Sequence, residues 1–238
     1  MGTSSLRLDW CDYKAAKYAV EHWHYSKSMP TPPLVMVGAW EQGKYIGVVI
    51  FSRGANNHLG SPYNLLDIET CELTRVALSE HICPTSKIVA HALKFLKSNS
   101  PGLKLCVSFA DPNHGHHGGI YQAGNWIYVG DTSKSCKYRD KQGRIWHQRQ
   151  VSAVGLKPQY GTMRRCAVIS ECERIPELGK HRYIMPLDND TREKIKHLSK
   201  PYPKRLKEHD PKPMGSGQCD SDPDAPISNE AFNEGDQP

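Results

Sequence analysis

The sequence has no apolar run that approaches the roughly 20 residues needed to cross a bilayer. Its first residues, MGTSSLRLDW, lack the apolar core of a secretory signal peptide. Hydrophobic residues make up only 38% of the 238 residues, which is low for a compact domain and indicates that part of the chain stays unpacked. These absences predict an intracellular protein without a membrane segment.

The eight cysteines form no CxxC pair, and none has a cysteine or histidine partner at zinc-finger spacing. Some lie within apolar, strand-like runs, where a reduced thiol behaves as a small hydrophobic group. We therefore expect buried, reduced cysteines in place of disulfides or a metal framework. The eight are Cys11, Cys71, Cys83, Cys106, Cys136, Cys166, Cys172 and Cys219.

The net charge of +6 is distributed unevenly along the chain. Residues 199–238 hold five Lys/Arg and eight Asp/Glu, which leaves 26 basic and 17 acidic residues, a net of +9, in residues 1–198. A domain this basic suits a polyanion, most simply nucleic acid, and charge that serves only solubility is the alternative. Residues 199–238 are rich in proline and acidic residues, so we predict one domain, residues 1–198, followed by a disordered tail.

Hydrophobic periodicity predicts an α/β domain with a mixed sheet. Residues 12–27 have the spacing of a helix, and LVMVGAW and YIGVVIFSRG that of a hairpin. A helix between strand 70–79 and strand 103–111 makes those two strands parallel. Ligands of open α/β sheets bind beyond the carboxyl ends of parallel strands, and DPNHGHHGG follows such an end.

Arg75 lies in the middle of strand 70–79. With a period of two it would share a face with Cys71, Leu73 and Ala77, among apolar neighbours. A buried guanidinium needs a carboxylate, a phosphate or a carbonyl as partner, so a functional role is one interpretation. A structural ion pair with a nearby glutamate, or an exposed sheet face, is the other.

Asp111 and Tyr121 stand at the two ends of the histidine-rich loop. A carboxylate at the end of a buried strand can act as a base or orient one, whereas Asp-Pro-Asn is also common turn chemistry. Tyr121 follows a Gly-Gly pair, where it could donate a hydrogen bond or stack on a base; a packed core tyrosine is the alternative.

Histidines before and within this loop could also hold a metal ion. His24 ends the first helix, but its ligation would need ligands from elsewhere in the chain. We expect the histidines to cap a helix or contact phosphate, with a metal site as the minority interpretation. The candidate ligands are His24, His114, His116 and His117.

Basic stretches with interleaved aromatic residues, KSCKYRDKQGRIWHQRQ and YGTMRR, suit a phosphate backbone with stacking side chains nearby. No helix-turn-helix, zinc-finger or RRM signature accompanies them. This favours a basic enzyme that binds nucleic acid over a dedicated DNA-reading module. The candidate DNA-binding residues are Lys137, Arg139, Arg144, Arg149, Arg164 and Arg165.

Five blocks of the sequence, in this order, resemble the phage Mom family of DNA adenine-modifying proteins: LRLDWCDYKAAKYAVEHWHYS, GVVIFSRGANNHLG, CELTRVAL, VSFADPNHGHHGGIYQAGNWIYVG and GKHRY. The resemblance covers nearly all of residues 6–200. It implies a GNAT-like acyltransferase fold and conversion of adenine in duplex DNA to its N6-carbamoylmethyl (acetamido) form, which protects phage DNA from host restriction. Double-stranded DNA would be the partner, in the cytoplasm of the bacterial host cell, and a homodimer is left open.

The same resemblance points to five catalytic residues. The family's motif falls on His24 and Tyr25 in HWHYS, Arg75 in ELTRVAL, Asp111 in FADPN and Tyr121 in GGIYQAG. We expect the enzyme to flip an adenine out of the duplex into a pocket at the carboxyl ends of strands 70–79 and 103–110. We expect Asp111 to be the base and Arg75 to stabilise negative charge on the donor, with the tyrosines stacking on adenine or donating to it.

The donor of the transferred group is not specified by the sequence. The glycine-rich pyrophosphate loop of GNAT enzymes is replaced here by SEHICPTSKIV, whose helix start at Pro84, Thr85, Ser86 and Lys87 could still receive a phosphate through free amides. Acetyl-CoA cannot supply the nitrogen of a carbamoylmethyl group. The candidate donors are therefore an acyl-CoA, used with a further step, and a glycine-derived compound. A metal such as iron is a candidate cofactor.

Two other functions fit the same residues. One is a GNAT-like N-acyltransferase that acts on a small amine or a peptide, which predicts coenzyme A binding without DNA. The other is a non-catalytic DNA-binding protein, which predicts unmodified nucleosides.

Overall fold

The computed structural model describes residues 5–54, 58–159 and 161–205. In chain order the strands are β1 (Leu6–Trp10), β2 (Leu34–Glu41), β3 (Lys44–Ser52), β4 (Thr70–Leu78), β5 (Leu105–Ala110), β6 (Ile127–Asp131), β7 (Ser135–Arg139), β8 (Ile145–His147), β9 (Val151–Ser152), β10 (Leu156–Gln159), β11 (Thr162–Arg165), β12 (Ala167–Val168), β13 (Glu173–Glu177) and β14 (His181–Pro186). The α-helices are α1 (Tyr13–Trp23), α2 (Thr85–Asn99), α3 (Gly119–Ala123) and α4 (Asn189–Ile195).

Seven strands form the main sheet, in the order β1-β2-β3-β4-β5-β14-β6. All neighbours are antiparallel except β4 and β5, which pair in parallel as predicted. The mixed α/β class expected from the sequence is therefore confirmed. The prediction did not include β1, which pairs with β2 along its whole length.

Helix α1 begins where the sequence predicts it, because the Asp12 carboxylate accepts a hydrogen bond from the Ala15 amide at 2.9 Å. Its buried side chains, Ala16, Ala19 and Val20, pack on one face of the sheet against Val48, Ile50 and Ala77. Helix α2 covers the opposite face, where its Ile88, Ala92 and Leu96 pack with Val37, Phe51 and Leu73. Each fully buried valine, leucine, isoleucine or phenylalanine side chain in these clusters contributes roughly 1.5–3 kcal/mol of transfer free energy.

The parallel strands stay together for only three residues. Thr70, Cys71 and Glu72 of β4 pair with Leu105, Cys106 and Val107 of β5, and then the two strands diverge. A β-bulge at Thr74 interrupts β4 at the same level, because Ile50 of β3 pairs with Arg75 while Phe51 pairs with Leu73. The divergence opens a gap on the carboxyl side of β5.

The segment between β6 and β14 leaves the main sheet and forms three small sheets, β13-β7-β8, β12-β9 and β10-β11. We call residues 132–177 the β-insertion. It carries ten Lys/Arg and four Asp/Glu, a net of +6. Strand β14 then returns between β5 and β6, antiparallel to both, so the insertion is anchored beside the gap.

The described cysteines, all except Cys219, are free thiols. Four of them, Cys11, Cys71, Cys106 and Cys136, are buried. This agrees with the expectation of reduced cysteines. No helix in the described part of the chain is long and apolar enough to span a membrane.

The structure describes the first residues of the predicted tail, 199–205. Residues 199–205 pack on the domain: the Lys200 amide donates to the Tyr128 carbonyl at 2.8 Å, and the Tyr202 hydroxyl to the Trp126 carbonyl at 2.7 Å. The Gln122 amide also donates to the Pro203 carbonyl. Composition alone missed these contacts because all three use backbone carbonyl oxygens, which any sequence offers. The rest of the predicted tail, residues 206–238, lies outside the described residues.

Two truncations should therefore behave differently. A chain that ends at Arg205 should keep the stability of the full chain within about 0.5 kcal/mol. A chain that ends at Leu198 should lose about 2 kcal/mol, because it loses the hydrogen bonds to Tyr128 and Trp126. Urea unfolding of both chains measures the difference, and equal stabilities would contradict the docking of residues 199–205.

Candidate active site

A cavity of about 740 Å³ fills the gap between β4 and β5. Its walls are the middle of β4, the end of β5, the C-terminal end of α1 and the loop before α3. The structure brings all five predicted catalytic residues to this one cavity: His24, Tyr25, Arg75, Asp111 and Tyr121. The sequence predicted a pocket at the carboxyl ends of both strands. On β4 the cavity begins before that end, at Glu72, because β4 and β5 diverge there.

Arg75 reaches the cavity by a route that the strand period did not predict. The bulge at Thr74 turns Arg75 to the α1 side of the sheet, with Ala77, whereas Leu73 packs on the α2 side. The expected common face of Arg75 with Cys71 and Leu73 is therefore wrong. The guanidinium is held by two carbonyls: its Nη1 donates to Thr74 at 2.8 Å and its Nε to Ser28 at 3.2 Å.

Asp111 is buried and forms the Asx turn that the sequence allowed as its structural alternative. Its Oδ1 accepts hydrogen bonds from the Asn113 amide at 3.0 Å and from the Asn113 side chain at 2.8 Å. Its Oδ2 lies 3.2 Å from the Lys180 ammonium. Burial opposes the charge of the carboxylate, but Lys180 and Asn113 outweigh burial and hold the pKa of Asp111 below its ordinary value.

His24 is neutral at physiological pH. Burial, with the positive charge of Arg75 and then His116 and His114, lowers its pKa to about 4. Its Nδ1 accepts a hydrogen bond from the Ser26 backbone amide at 3.1 Å, so the hydrogen of the neutral ring is on Nε2. His24 is therefore a neutral hydrogen-bond donor.

Tyr25 is half exposed at the mouth of the cavity, among imidazole rings. Its ring centroid lies 4.4 Å from that of His24, 4.8 Å from that of His114 and 5.0 Å from that of His116. Burial lowers the pKa of His116, so this ring also favours the neutral form. The tyrosine and histidine rings together form an aromatic cluster that can stack on a heterocyclic base.

Three of the four predicted metal candidates, His24, His114 and His116, surround the ring of Tyr25. Within residues 5–54, 58–159 and 161–205, no group of three or more His, Cys, Asp or Glu side chains is positioned to hold a metal ion. His24 uses Nδ1 internally, and His114 and His116 make ring contacts with Tyr25.

Tyr121 lies at the back of the cavity and is buried. Its hydroxyl oxygen is 2.7 Å from Ser108 Oγ, which is itself 2.8 Å from the Leu73 carbonyl oxygen. A serine hydroxyl carries one hydrogen, so a Ser108 that donates to Leu73 must accept from Tyr121. Burial raises the pKa of Tyr121 well above its ordinary range, which keeps the phenol protonated.

Sequence reasoning missed several residues of the site. Lys180, in the block GKHRY, meets Asp111 only because β14 inserts beside β5, a pairing that local patterns do not encode. Gly118 has a φ of +84°, and a Cβ there would lie 2.3 Å from the Tyr183 ring. The Gly-Gly pair at this point was the one available signal for that close approach.

The N-terminal end of α2 only partly fits a coenzyme A diphosphate. Thr85 lines the cavity, and α2 begins after Pro84 without a side-chain cap, so its first amides can receive an anion. However, the preceding amides of Ile82 and Cys83 donate to the buried Glu41 carboxyl group at 2.7 and 2.8 Å. Glu41 therefore fills part of the cradle that a diphosphate would need, and the remaining amides suit a single anionic group.

The predicted DNA-binding residues all lie in the β-insertion, but in different settings. Lys137 and Arg139 form cross-strand ion pairs with Glu177 and Glu173, at 2.6 and 3.1 Å, which bind β7 to β13. Arg144 lies over the Trp146 ring, with 4.1 Å between its Cζ and the ring centroid. The other three, Arg149, Arg164 and Arg165, are exposed.

His24 should make stability depend on pH. Because its pKa is lowered from 6.5 to about 4, the unfolded chain binds the proton more tightly, and stability falls as pH decreases through that range. From about pH 7 to about pH 4, wild type should lose about 2 kcal/mol more than His24→Gln, after a discount for partial exposure. Urea unfolding at a series of pH values measures this; parallel curves would contradict a buried neutral His24.

Sequence comparison places the chain beside proteins of one family. Residues 5–204 match the sequence model of the Mom protein family. The methylcarbamoylase mom of Escherichia phage Mu is 24% identical over 211 residues, which cover 85% of this chain and 86% of the phage protein.

Solved structures of acetyltransferases are similar to the fold. The IAA acetyltransferase of Bacillus cereus is 13% identical with a TM-score of 0.41, and covers 77% of this chain and 100% of its own. The aminoglycoside 6'-N-acetyltransferase of Enterococcus faecium, 11% identical, has a TM-score of 0.42 over 77% of this chain and 98% of its own. A GNAT family acetyltransferase of Elizabethkingia anophelis, with acetyl-CoA bound, is 11% identical with a TM-score of 0.39 over 78% and 100%. Similarity at this level carries no conclusion about substrate or donor.

Proposed function

The chain belongs to the Mom protein family, and on that premise we propose that it is a transferase that converts adenine in duplex DNA to N6-carbamoylmethyladenine. Phage DNA modified in this way would be protected from host restriction enzymes. The observation that carries the proposal is the cavity between β4 and β5, with His24, Tyr25, Arg75, Asp111 and Tyr121 on its walls.

The cavity has the size and the lining that a flipped base requires. Its volume of about 740 Å³ is within the usual range for small-ligand sites, and holds a nucleobase together with a small donor. The N6 atom of adenine is inside the duplex, so the base must leave the stack, at a cost of a few kcal/mol. Stacking on Tyr25 and His116, which both line the cavity, offsets part of that cost.

The proposed step replaces one hydrogen on N6 by a carbamoylmethyl group. The N6 lone pair forms a bond to the methylene carbon of an activated carbamoylmethyl donor, whose leaving group takes the electron pair of the bond that breaks. N6 then releases one proton. The lone pair of N6 is delocalised into the ring, so the enzyme must make the donor more electrophilic or remove the proton efficiently.

Asp111 is the group that receives this proton. Its lowered pKa makes it a weak base towards neutral adenine. Once the bond to carbon has formed, however, N6 is positively charged and strongly acidic, so an ionised carboxylate is a sufficient acceptor. The carboxylate has about four acceptor positions; two on Oδ1 accept from Asn113 and one on Oδ2 faces Lys180, so one position on Oδ2 remains for the N6 hydrogen.

Arg75 and His24 act on the donor. The Arg75 guanidinium and the Nε2 hydrogen of His24 offer positive charge and a neutral hydrogen-bond donor on the same wall. Both stabilise negative charge that develops on the leaving group or on the amide oxygen, without giving up a proton. Tyr121, which stays protonated, supports the wall through Ser108.

Mass spectrometry of nucleosides from DNA of cells that express the chain tests the proposal. We expect a deoxyadenosine that is heavier by one carbamoylmethyl group less one hydrogen, absent from cells with the empty vector. Unmodified nucleosides with tight duplex binding would instead indicate a DNA-binding protein. Unmodified nucleosides with an acylated small amine or peptide would indicate an N-acyltransferase.

A further inference from the structure

We propose that the two-stranded ribbon formed by β10 and β11 enters the major groove of duplex DNA and positions the target adenine. This rests on the proposed function, and adds to it the element that docks and the way it docks. The ribbon is part of the β-insertion, and among the described residues β10 and β11 form a sheet of their own and pair with no other strand.

Both strands of the ribbon are exposed to solvent, yet the ribbon is fastened at its base. Every residue of β11 is exposed, as are Leu156 and Pro158 of β10. At the base the Cys166 amide donates to the Gly155 carbonyl, and the Ser152 hydroxyl to the Leu156 carbonyl, both at 2.9 Å. An isolated two-stranded ribbon is only marginally stable in water. A ribbon that is hydrogen-bonded at its base but exposed to solvent on both faces therefore indicates a binding partner.

The charge of the ribbon selects a polyanion as that partner. From Val151 to Ser170 the sequence has no Asp or Glu but contains Lys157, Arg164 and Arg165. Lys157 and Arg164 are directly opposite each other across the two strands. The Lys157 ammonium donates to the Arg149 carbonyl at 2.8 Å, so it is held at the base of the ribbon, whereas Arg164 and Arg165 are exposed and can contact phosphates.

The opposite face of the ribbon is apolar except at one end. By the register of the strands, Leu156 and Arg165 are paired on this face, followed by Pro158 and Met163. Met163 is 61% exposed, which is unusual for a long apolar side chain at the surface. Apolar side chains of this type contact thymine methyl groups or press against base steps.

The dimensions of the ribbon fit the groove of B-form DNA. The major groove is about 12 Å wide and accepts a two-stranded ribbon, whose strands are about 4.8 Å apart before side chains are added. The A-form major groove of duplex RNA is too narrow and deep for side chains to enter. The ribbon therefore distinguishes the two duplexes by shape, with its basic face towards phosphates and Met163 towards the bases.

Fluorescence anisotropy of a labelled DNA duplex with the full chain, over a range of salt concentrations, tests the ribbon. Arg164→Gln combined with Arg165→Gln should weaken binding about 10- to 100-fold and reduce the slope of log K against log salt by about two. The matched control, Lys14→Gln combined with Lys44→Gln, removes the same charge from exposed positions outside the insertion and should change neither. On duplex RNA of the same sequence, the ribbon variant should behave as wild type.

Substitutions of Met163 test the apolar face of the ribbon separately from its charge. Met163→Ser should weaken DNA binding about fivefold with an unchanged salt slope, and Met163→Leu should bind as wild type. If the arginine variant binds as wild type, or if the control loses as much, the ribbon proposal is wrong while nucleoside modification by wild type still supports the proposed function. If wild type binds no duplex and modifies no nucleoside, both proposals fail.

Discussion

Asp111→Asn should reduce adenine modification by about 10²- to 10⁴-fold while the protein stays folded. Asparagine keeps the oxygen that accepts from Asn113, so the turn after β5 is preserved. It lacks the negative charge that receives the N6 proton. Quantifying modified deoxyadenosine per unit of soluble protein measures the loss, and circular dichroism verifies the fold.

Lys180→Gln is the matched control for this substitution. It breaks the same ion pair with Asp111 but leaves the carboxylate in place, and it raises the pKa of Asp111 towards its ordinary value. We expect Lys180→Gln to retain most of the modification. If Asp111→Asn is as active as wild type, Asp111 does not receive the proton; if both variants lose activity equally, the ion pair and not the carboxylate is what matters.

Arg75→Gln should reduce modification by about 10²- to 10³-fold, the usual cost of removing one preorganised charge from an active site. The guanidinium is fixed by the carbonyls of Thr74 and Ser28, so its charge is aimed into the cavity without reorganisation. Nucleoside mass spectrometry under conditions that limit the reaction time measures the change in rate.

Arg75→Lys separates charge from geometry. A lysine keeps the positive charge but cannot hold both carbonyls with a rigid fork, so about a 10-fold loss is expected. Equal activity of wild type and Arg75→Gln, with similar unfolding midpoints, would show that Arg75 is structural only.

Strands β2 to β5 of the main sheet and helices α1 and α2 follow from local patterns. Asp12 marks the start of α1, the apolar runs mark β2 and β3, and the crossover through α2 makes β4 and β5 parallel. These features depend on residues close in sequence, so a single sequence predicts them. The cavity could be predicted for the same reason, since Asp111 follows β5 directly.

The rest depends on pairings between distant segments. Nothing near Arg75 signals the bulge at Thr74, which depends on the register of β3 against β4 and decides the face that Arg75 occupies. The Lys180–Asp111 pair exists only because β14 inserts between β5 and β6. Likewise Glu41, at the end of β2, binds the amides of the loop before α2 from a distance of about 40 residues.

These long-range features change the chemistry expected from the residues. Lys180 and Asn113 keep Asp111 ionised despite its burial, and burial beside Arg75 makes His24 a neutral hydrogen-bond donor instead of a cation. Glu41 occupies two amides before α2, so the amides that remain there can bind only one anionic group of the donor. The site therefore combines one ionised acceptor with two fixed donors, around a cluster of rings that can stack on a base.

Photo-crosslinking tests most directly whether the cavity receives adenine. A duplex with an azido-substituted adenine at a modifiable position is irradiated with the full chain, and the linked peptides are identified by mass spectrometry. We expect links to the peptides that carry Tyr25 and the loop from His114 to Tyr121, and their loss when unlabelled duplex competes. Links confined to the β-insertion, with none to the cavity, would contradict the account.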